Sequence, residues 1–298
     1  MFNRVTLGVY EMGSTFKTFS TAMALDTQKV TLTSQFDATV PIVHGQFTIS
    51  DFHPENRMLT VPEVFVHSSN IGTAKMALAV GMPVQRAYLA KMGLLTPMPS
   101  EIREVGTPIV PAHWGELETM TVSYGHGIAV TPLHVAAVSA ALVNGGRLMK
   151  PTLLKRNPAQ VVPFTRVVSE HTSSQMRELL RMVVTQGTGS LADVPGYPVA
   201  GKTGTAEKAG AKGYARTALL NSFMGVFPAK NPRYLVLVLL DEPQPTEATK
   251  GFATAGWTAA PTAGKVIARI APMLNVPVTA EDPKKGVPTT MASYEDLH

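Results

Sequence analysis

The sequence predicts an α+β fold: an antiparallel sheet covered by helices, with a helical subdomain. Three observations predict it. Apolar residues recur at helical spacing through much of the first two thirds, beginning with Phe16, Phe19, Met23 and Ala24. Three strand-like runs then follow at 199–207, 219–227 and 234–240, and short links of this kind join antiparallel neighbours. One more apolar helical stretch, 260–274, comes after them. Helices first, then sheet, then a closing helix is an α+β layout. At 298 residues, with 45% hydrophobic and 16% charged content, the chain can bury a sizeable core as one large domain or two small ones.

In chain order, a first helix is expected from Ser14 to about Leu25, with Gly13 letting the backbone turn into it. Residues 46–49 alternate and read as a short strand. Thr60 and Glu63 have capping-box spacing with Pro62 in the first turn, so a helix runs from there towards His67. It breaks at Ser68-Ser69-Asn70. A further helix starts near Ile71 and stops before Gly81, and another spans 84–92 up to Gly93. Residues 94–124 are rich in Pro, Gly and Glu and read as loop, with Glu116 and Glu118 as solvated charges and Trp114 as packing. Thr131-Pro132 opens a strongly apolar helix that ends at Asn144-Gly145-Gly146. Ser173 or Ser174 is expected to cap a helix reaching about Val184. Asn231-Pro232 marks the turn between the last two strands. Residues 1–275 read as the folded domain and 276–298 as a Pro-rich, polar, flexible tail.

Composition excludes several function classes. The net charge of +5 is mild and no long basic run stands out, so nucleic acid is not a predicted partner. There is no cysteine, which removes thiol catalysis, thiolate metal sites and disulfides. The eight histidines show no metal-ligand spacing, and neither metal nor cofactor is expected. Residues 1–10 do not read as a signal peptide, and no apolar run approaches membrane-spanning length.

The chemistry is carried by three short motifs. In Ser14-Thr15-Phe16-Lys17, helical spacing puts the Lys17 amine beside the Ser14 hydroxyl. A serine becomes a nucleophile when a neighbouring base takes its proton, and a desolvated lysine can be that base. The helix N-terminus adds N–H groups that favour an oxyanion. Alone the motif is weak, since about 0.7 S-x-x-K matches are expected by chance in this composition. Ser68-Ser69-Asn70 is an S-x-N at a helix break, where Ser68 could equally be an N-cap and Asn70 a turn residue. Lys202-Thr203-Gly204-Thr205 lies in an apparent strand, where Lys202 could be a solvated edge charge and Gly204 leaves room for a ligand backbone. The ordered set S-x-x-K, S-x-N, K-T-G is the signature of penicillin-binding proteins and serine β-lactamases.

From there the chain resembles the transpeptidase domain of class B penicillin-binding proteins, over roughly residues 3–275, and within them the cell-division (septal) type. Residues 10–17 match the nucleophile segment, with Met12 where proline is commoner. His67 to Gly72 resembles the division type. Ser123-Tyr124-Gly125-His126-Gly127 resembles the Gly-Tyr-Gly segment, with His126 in place of tyrosine; lining a cleft and packing both fit it. The resemblance implies earlier strands that complete the sheet, together with a membrane anchor and pedestal domain in full-length relatives. Thirteen residues precede Ser14 here, so a fragment lacking the first strands is expected, with a sheet edge and one helix face exposed.

The resemblance also implies roles. Ser14 attacks the penultimate D-Ala carbonyl of a peptidoglycan stem peptide and forms an acyl-enzyme. Lys17 accepts the serine proton, given a pKa lowered by burial and by Lys202; Ser68 relays it to the leaving amine, and Asn70 holds the stem amide and orients Lys17. The Ser14 and Thr205 backbone N–H groups form the oxyanion hole. Lys202, Thr203 and Thr205, beside Gly204, bind the terminal carboxylate. An acceptor amine from a neighbouring stem closes the cross-link, and β-lactams acylate Ser14. A lipid II glycosyltransferase and other division proteins are the implied partners, at the periplasmic face of the inner membrane. Two other readings share these parts: a β-lactamase or DD-carboxypeptidase, for which no acid-containing deacylation motif is evident between Ser68 and Lys202, and a non-catalytic β-lactam sensor.

Overall fold

The computed structural model describes residues 2–157, 159–210 and 213–279. The chain divides into two compact units, Met1–Met176 and Arg177–His298.

In the first unit a 3-10 turn, Gly13–Phe16, runs directly into helix α1, Lys17–Asp26. The expected single helix from Ser14 therefore opens as a tighter turn. Gly13 enters it at φ 51°, a left-handed conformation that glycine adopts without strain. Residues 17–25 of α1 are all buried, so the helix is enclosed by its neighbours. Two short antiparallel pairs come after it: β1 (Gln35–Asp37) with β4 (Met58–Thr60), and β2 (Ile42–His44) with β3 (Phe47–Ile49). Of these four strands, each three residues long, only β3 is expected from the sequence. Helix α2 (Val61–Val66) starts at the expected capping box: the Thr60 backbone N–H donates to the Glu63 carboxylate at 2.8 Å, while the Glu63 N–H donates back to the Thr60 hydroxyl. Helices α3 (Asn70–Val80) and α4 (Met82–Lys91) come next.

The stretch read as loop contains helix α5, Glu116–Ser123. Its N-cap is Gly115, which gives no side-chain start signal. Glu118 instead accepts the Gly115 N–H at 2.8 Å, so Glu116 and Glu118 occupy a helix first turn, where acidic residues are favoured. Trp114 is buried and its indole N–H donates to Gln85 Oε1 at 3.1 Å. Helix α6 is Pro132–Val143, followed by the pair β5 (Arg147–Leu148) and β6 (Thr165–Arg166). Helix α7, Glu170–Gln186, begins earlier than expected. Ser169 supplies the capping hydroxyl, accepting the Thr172 N–H at 3.1 Å, while the Ser173 hydroxyl serves Gly145. Asp26 ties the ends of this unit together, accepting from the Ser169 N–H at 2.7 Å, the Thr172 hydroxyl at 2.9 Å and the Tyr88 hydroxyl at 2.7 Å.

The second unit is built on three antiparallel strands in the order β7 (Ala200–Gly210), β8 (Gly213–Phe227), β9 (Tyr234–Asp241). Both β7 and β9 are edge strands among the described residues. Helix α8 (Ala259–Met273) lays Ala259, Ala260, Ala263, Ile267 and Ala271 against Val199, Phe223 and Phe227. The small residues let helix and sheet approach closely, and each large side chain buried there contributes about 1.5–3 kcal/mol. Val276 is buried in the same core, and the Thr279 N–H donates to the Gly196 carbonyl at 2.9 Å. The rest of the expected tail, from residue 280, lies outside the described residues.

Candidate active site

Two pieces of the first unit meet at Lys17. In the 3-10 turn, the Lys17 N–H bonds to the Ser14 carbonyl, and residues three apart in such a turn eclipse one another. The tighter turn thus stacks the Lys17 side chain under Ser14 more directly than an α-helix does. Ser14 is half-buried and Lys17 is fully buried. The Lys17 amine donates to the Ser68 carbonyl and lies 3.2 Å from the Ser68 hydroxyl. Sequence positions 17 and 68 therefore meet through both polar atoms of Ser68.

Ser68 is held at φ 59°, a left-handed backbone that a serine adopts only at a cost. The N-cap role goes to Ser69, whose hydroxyl accepts the Gly72 N–H at 2.9 Å. Ser68 is therefore not the N-cap, and its hydroxyl faces Lys17. The Asn70 side-chain amide donates to the Ser50 carbonyl at 2.9 Å. Asp51 receives the Ser69 hydroxyl at 2.7 Å and the N–H groups of Asn70 and Ile71. Sequence reasoning missed Asp51, because nothing in the residues around it marks a helix-capping carboxylate 18 positions before its partner.

The glycine segment packs against the nucleophile turn. A Cβ at Gly125 would stand 2.3 Å from the Gly13 carbonyl oxygen, so only glycine fits there. Glu11 accepts the Gly127 N–H at 2.9 Å and lies 3.7 Å from His126 Nδ1. His126 is thus a partner of the nucleophile segment, with its ring about two fifths exposed. Burial, with the Glu11 charge added, pushes the Tyr124 phenol up to about 12. Upstream, Tyr10 and Val130 exchange backbone hydrogen bonds at 2.9 and 3.0 Å, fixing the approach to Ser14.

In the second unit, Lys202 is fully buried within β7, opposite Met224 of β8. Its amine lies 3.3 Å from the Thr203 carbonyl. Burial lowers its pKa to about 7, because desolvation penalises the ammonium form. It is not the solvated edge charge of the alternative reading. The Thr203 hydroxyl pairs with that of Thr188 at 2.6 Å, and Thr205 Oγ1 accepts the Ala255 N–H at 3.1 Å. Gly204 pairs with Ser222, whose hydroxyl donates to its carbonyl at 3.3 Å. Lys202, Thr203, Gly204 and Thr205 are thus consecutive on one edge strand of the second unit, while in the first unit the Lys17 amine meets Ser68 and the Asn70 amide is turned to the Ser50 carbonyl rather than to Lys17. No group of three or more His, Cys, Asp or Glu side chains that could hold a metal occurs among the described residues.

A family model described as the penicillin binding protein transpeptidase domain matches residues 1–265. The chain is 43% identical to the probable peptidoglycan D,D-transpeptidase FtsI of Caulobacter vibrioides, over 96% of this chain and 51% of that protein. It is 35% identical to stage V sporulation protein D of Bacillus subtilis, over 90% of this chain and 43% of that protein. The chain thus spans about half the length of the curated relatives it matches. Among solved structures, the apo transpeptidase domain of Burkholderia pseudomallei penicillin-binding protein 3 superposes with a TM-score of 0.85. There the identity is 33%, and the match covers 94% of this chain and 84% of that one.

Proposed function

Because the chain belongs to the penicillin-binding protein transpeptidase family, we propose that it is the acyl-transfer module of a septal peptidoglycan D,D-transpeptidase. The observation that carries the reading is the Lys17 amine meeting both the carbonyl and the hydroxyl of Ser68, one turn along from Ser14. Lys17, in its neutral form, takes the Ser14 proton as Oγ attacks the penultimate D-Ala carbonyl of a stem peptide. The Ser14 N–H, among the first of its helical turn and so without an intrahelical partner, donates to the oxyanion. Each such donor typically contributes about 3 kcal/mol. Ser68 passes the proton to the departing D-Ala amine, and Asn70 holds the stem amide.

Lys202, Thr203 and Thr205 take the terminal carboxylate, and Gly204 leaves the strand edge clear for the peptide. Desolvation makes the buried cation a strong partner for an incoming anion. The acyl group then passes to an amine of a neighbouring stem. β-Lactams present a carboxylate and a strained amide to the same groups and leave Ser14 acylated. A lipid II glycosyltransferase and other division proteins are the partners this role requires, at the periplasmic face of the inner membrane. No helix among the described residues is long and apolar enough to cross a membrane.

Gel labelling with fluorescent penicillin tests the reading. Labelling of the parent chain and its loss in Ser14→Ala are expected; equal labelling of both would remove Ser14 as nucleophile. Transfer of the acyl group to an added D-amino acid separates a transpeptidase from a sensor, which holds the adduct, and from a hydrolase, which releases it to water.

A further inference from the structure

Ser68 ends α2 in a left-handed capping turn, with the Ser69 N–H on the Val64 carbonyl at 2.9 Å, and the segment before α3 adds a second hold on it. Asp51 Oδ2 accepts the Ser69 hydroxyl at 2.7 Å, and Oδ1 accepts the N–H groups of Asn70 and Ile71, the latter at 3.0 Å. One residue earlier, the Ser50 carbonyl accepts the Asn70 side-chain amide at 2.9 Å. Ile49, at the end of β3, is buried against Ala74 of α3 and Met120 of α5, so residues 50 and 51 are delivered to a fixed place. The carboxylate meets the first turn of α3, where N–H groups lack helical partners and negative charge is favoured. Three donors from residues 69–71 therefore close on one side chain, and residue 68 is held between the capping turn of α2 and this clamp.

We propose that Asp51 is a positioning residue for proton transfer. By clamping residues 69–71 it holds Ser68 in the left-handed conformation in which both its carbonyl and its hydroxyl meet the Lys17 amine. Asp51 acts through the geometry of Ser68 and touches none of the reacting atoms. Without the clamp Ser68 relaxes towards an unstrained backbone, and the relay hydroxyl leaves Lys17. The inference rests on the acyl-enzyme reading of Ser14.

Single-turnover labelling of the 298-residue chain with fluorescent penicillin separates the acylation rate at saturation from the apparent Kd. Misplacing a proton relay by about 1 Å costs on the order of 100-fold, so Asp51→Asn is expected to lower the saturated rate by about 10- to 100-fold with apparent Kd nearly unchanged. Ser69→Ala removes one of the three contacts and is expected to fall between Asp51→Asn and the parent. Thr60→Ala serves as the control: it loses a helix cap, lowers thermal stability and leaves the saturated rate alone. A saturated rate for Asp51→Asn equal to the parent overturns the assignment, as does a loss matched by Thr60→Ala at equal thermal stability. If Asp51→Asn does not fold, Ser69→Ala decides, and a parental rate there overturns it. Failure of the parent chain itself to label would instead refute the acyl-enzyme reading.

Discussion

Raising the pH is a direct perturbation of the Lys202 cluster, the proposed carboxylate site. Lys202 has its pKa lowered to about 7 by burial, so its charge changes across the neutral range. At pH 6 about nine tenths of the free protein carries the ammonium, and at pH 8 about one tenth. A ligand carboxylate stabilises the ammonium and raises that pKa in the complex. Affinity then tracks the protonated fraction and falls about tenfold between pH 6 and pH 8, close to 1.4 kcal/mol. Binding at pH 8 takes up about 0.9 proton per ligand. The assay is titration calorimetry of Ser14→Ala with a stem peptide ending in D-Ala-D-Ala, in two buffers of different ionisation enthalpy. Lys202→Met is the control in which uptake should vanish. Flat affinity from pH 6 to 8 with no proton uptake would refute the argument. The ligand-free chain carries the opposite sign. The unfolded chain keeps this proton to about pH 10.4, whereas the folded chain releases it near 7. The unfolded state therefore binds more protons between those values, and stability rises with pH across them.

Three further outcomes are expected. Ser68→Gly and Ser68→Ala should both lose acylation, but the glycine variant should be the more stable by about 1 kcal/mol in urea titration, since φ 59° strains alanine and not glycine. Asp26→Asn should cost about 2 kcal/mol by weakening hydrogen bonds to a charged carboxylate. Burial pushes Asp26 up, yet the bonds from Ser169, Tyr88 and Thr172 outweigh it and leave its pKa lowered. Its stabilisation is therefore complete above the unfolded value of about 3.9 and is lost as pH falls through the folded value, so the variant should show a shallower acid limb. Gly125→Ala places a methyl 2.3 Å from the Gly13 carbonyl at φ 82°, and should slow penicillin acylation about tenfold while lowering thermal stability.

The order of helices, sheet and closing helix was legible because α1, α3, α6 and α8 are long enough to show periodicity or caps, and β7 to β9 are rich in strand formers. Helix α5 was missed because Gly115 offers no capping side chain and the flanking prolines and glycines dominate the pattern. The start of α7 was misplaced because three serines stand within six residues and only tertiary contacts select Ser169. Residue types named Ser14, Lys17, Ser68 and Asn70 in the first unit and Lys202 in the second. The full burial of Lys202 and the Asp51 clamp arise from contacts between distant segments, which spacing along the chain does not encode.

Tryptic mass mapping after exposure to benzylpenicillin asks which oxygen carries the acyl group. The account predicts one adduct of intact penicillin mass, on the peptide covering residues 5–17, with fragment ions assigning it to Ser14 and sparing Thr15. An adduct on the peptide containing Ser68, or covalent labelling that leaves residues 5–17 unmodified, would contradict it.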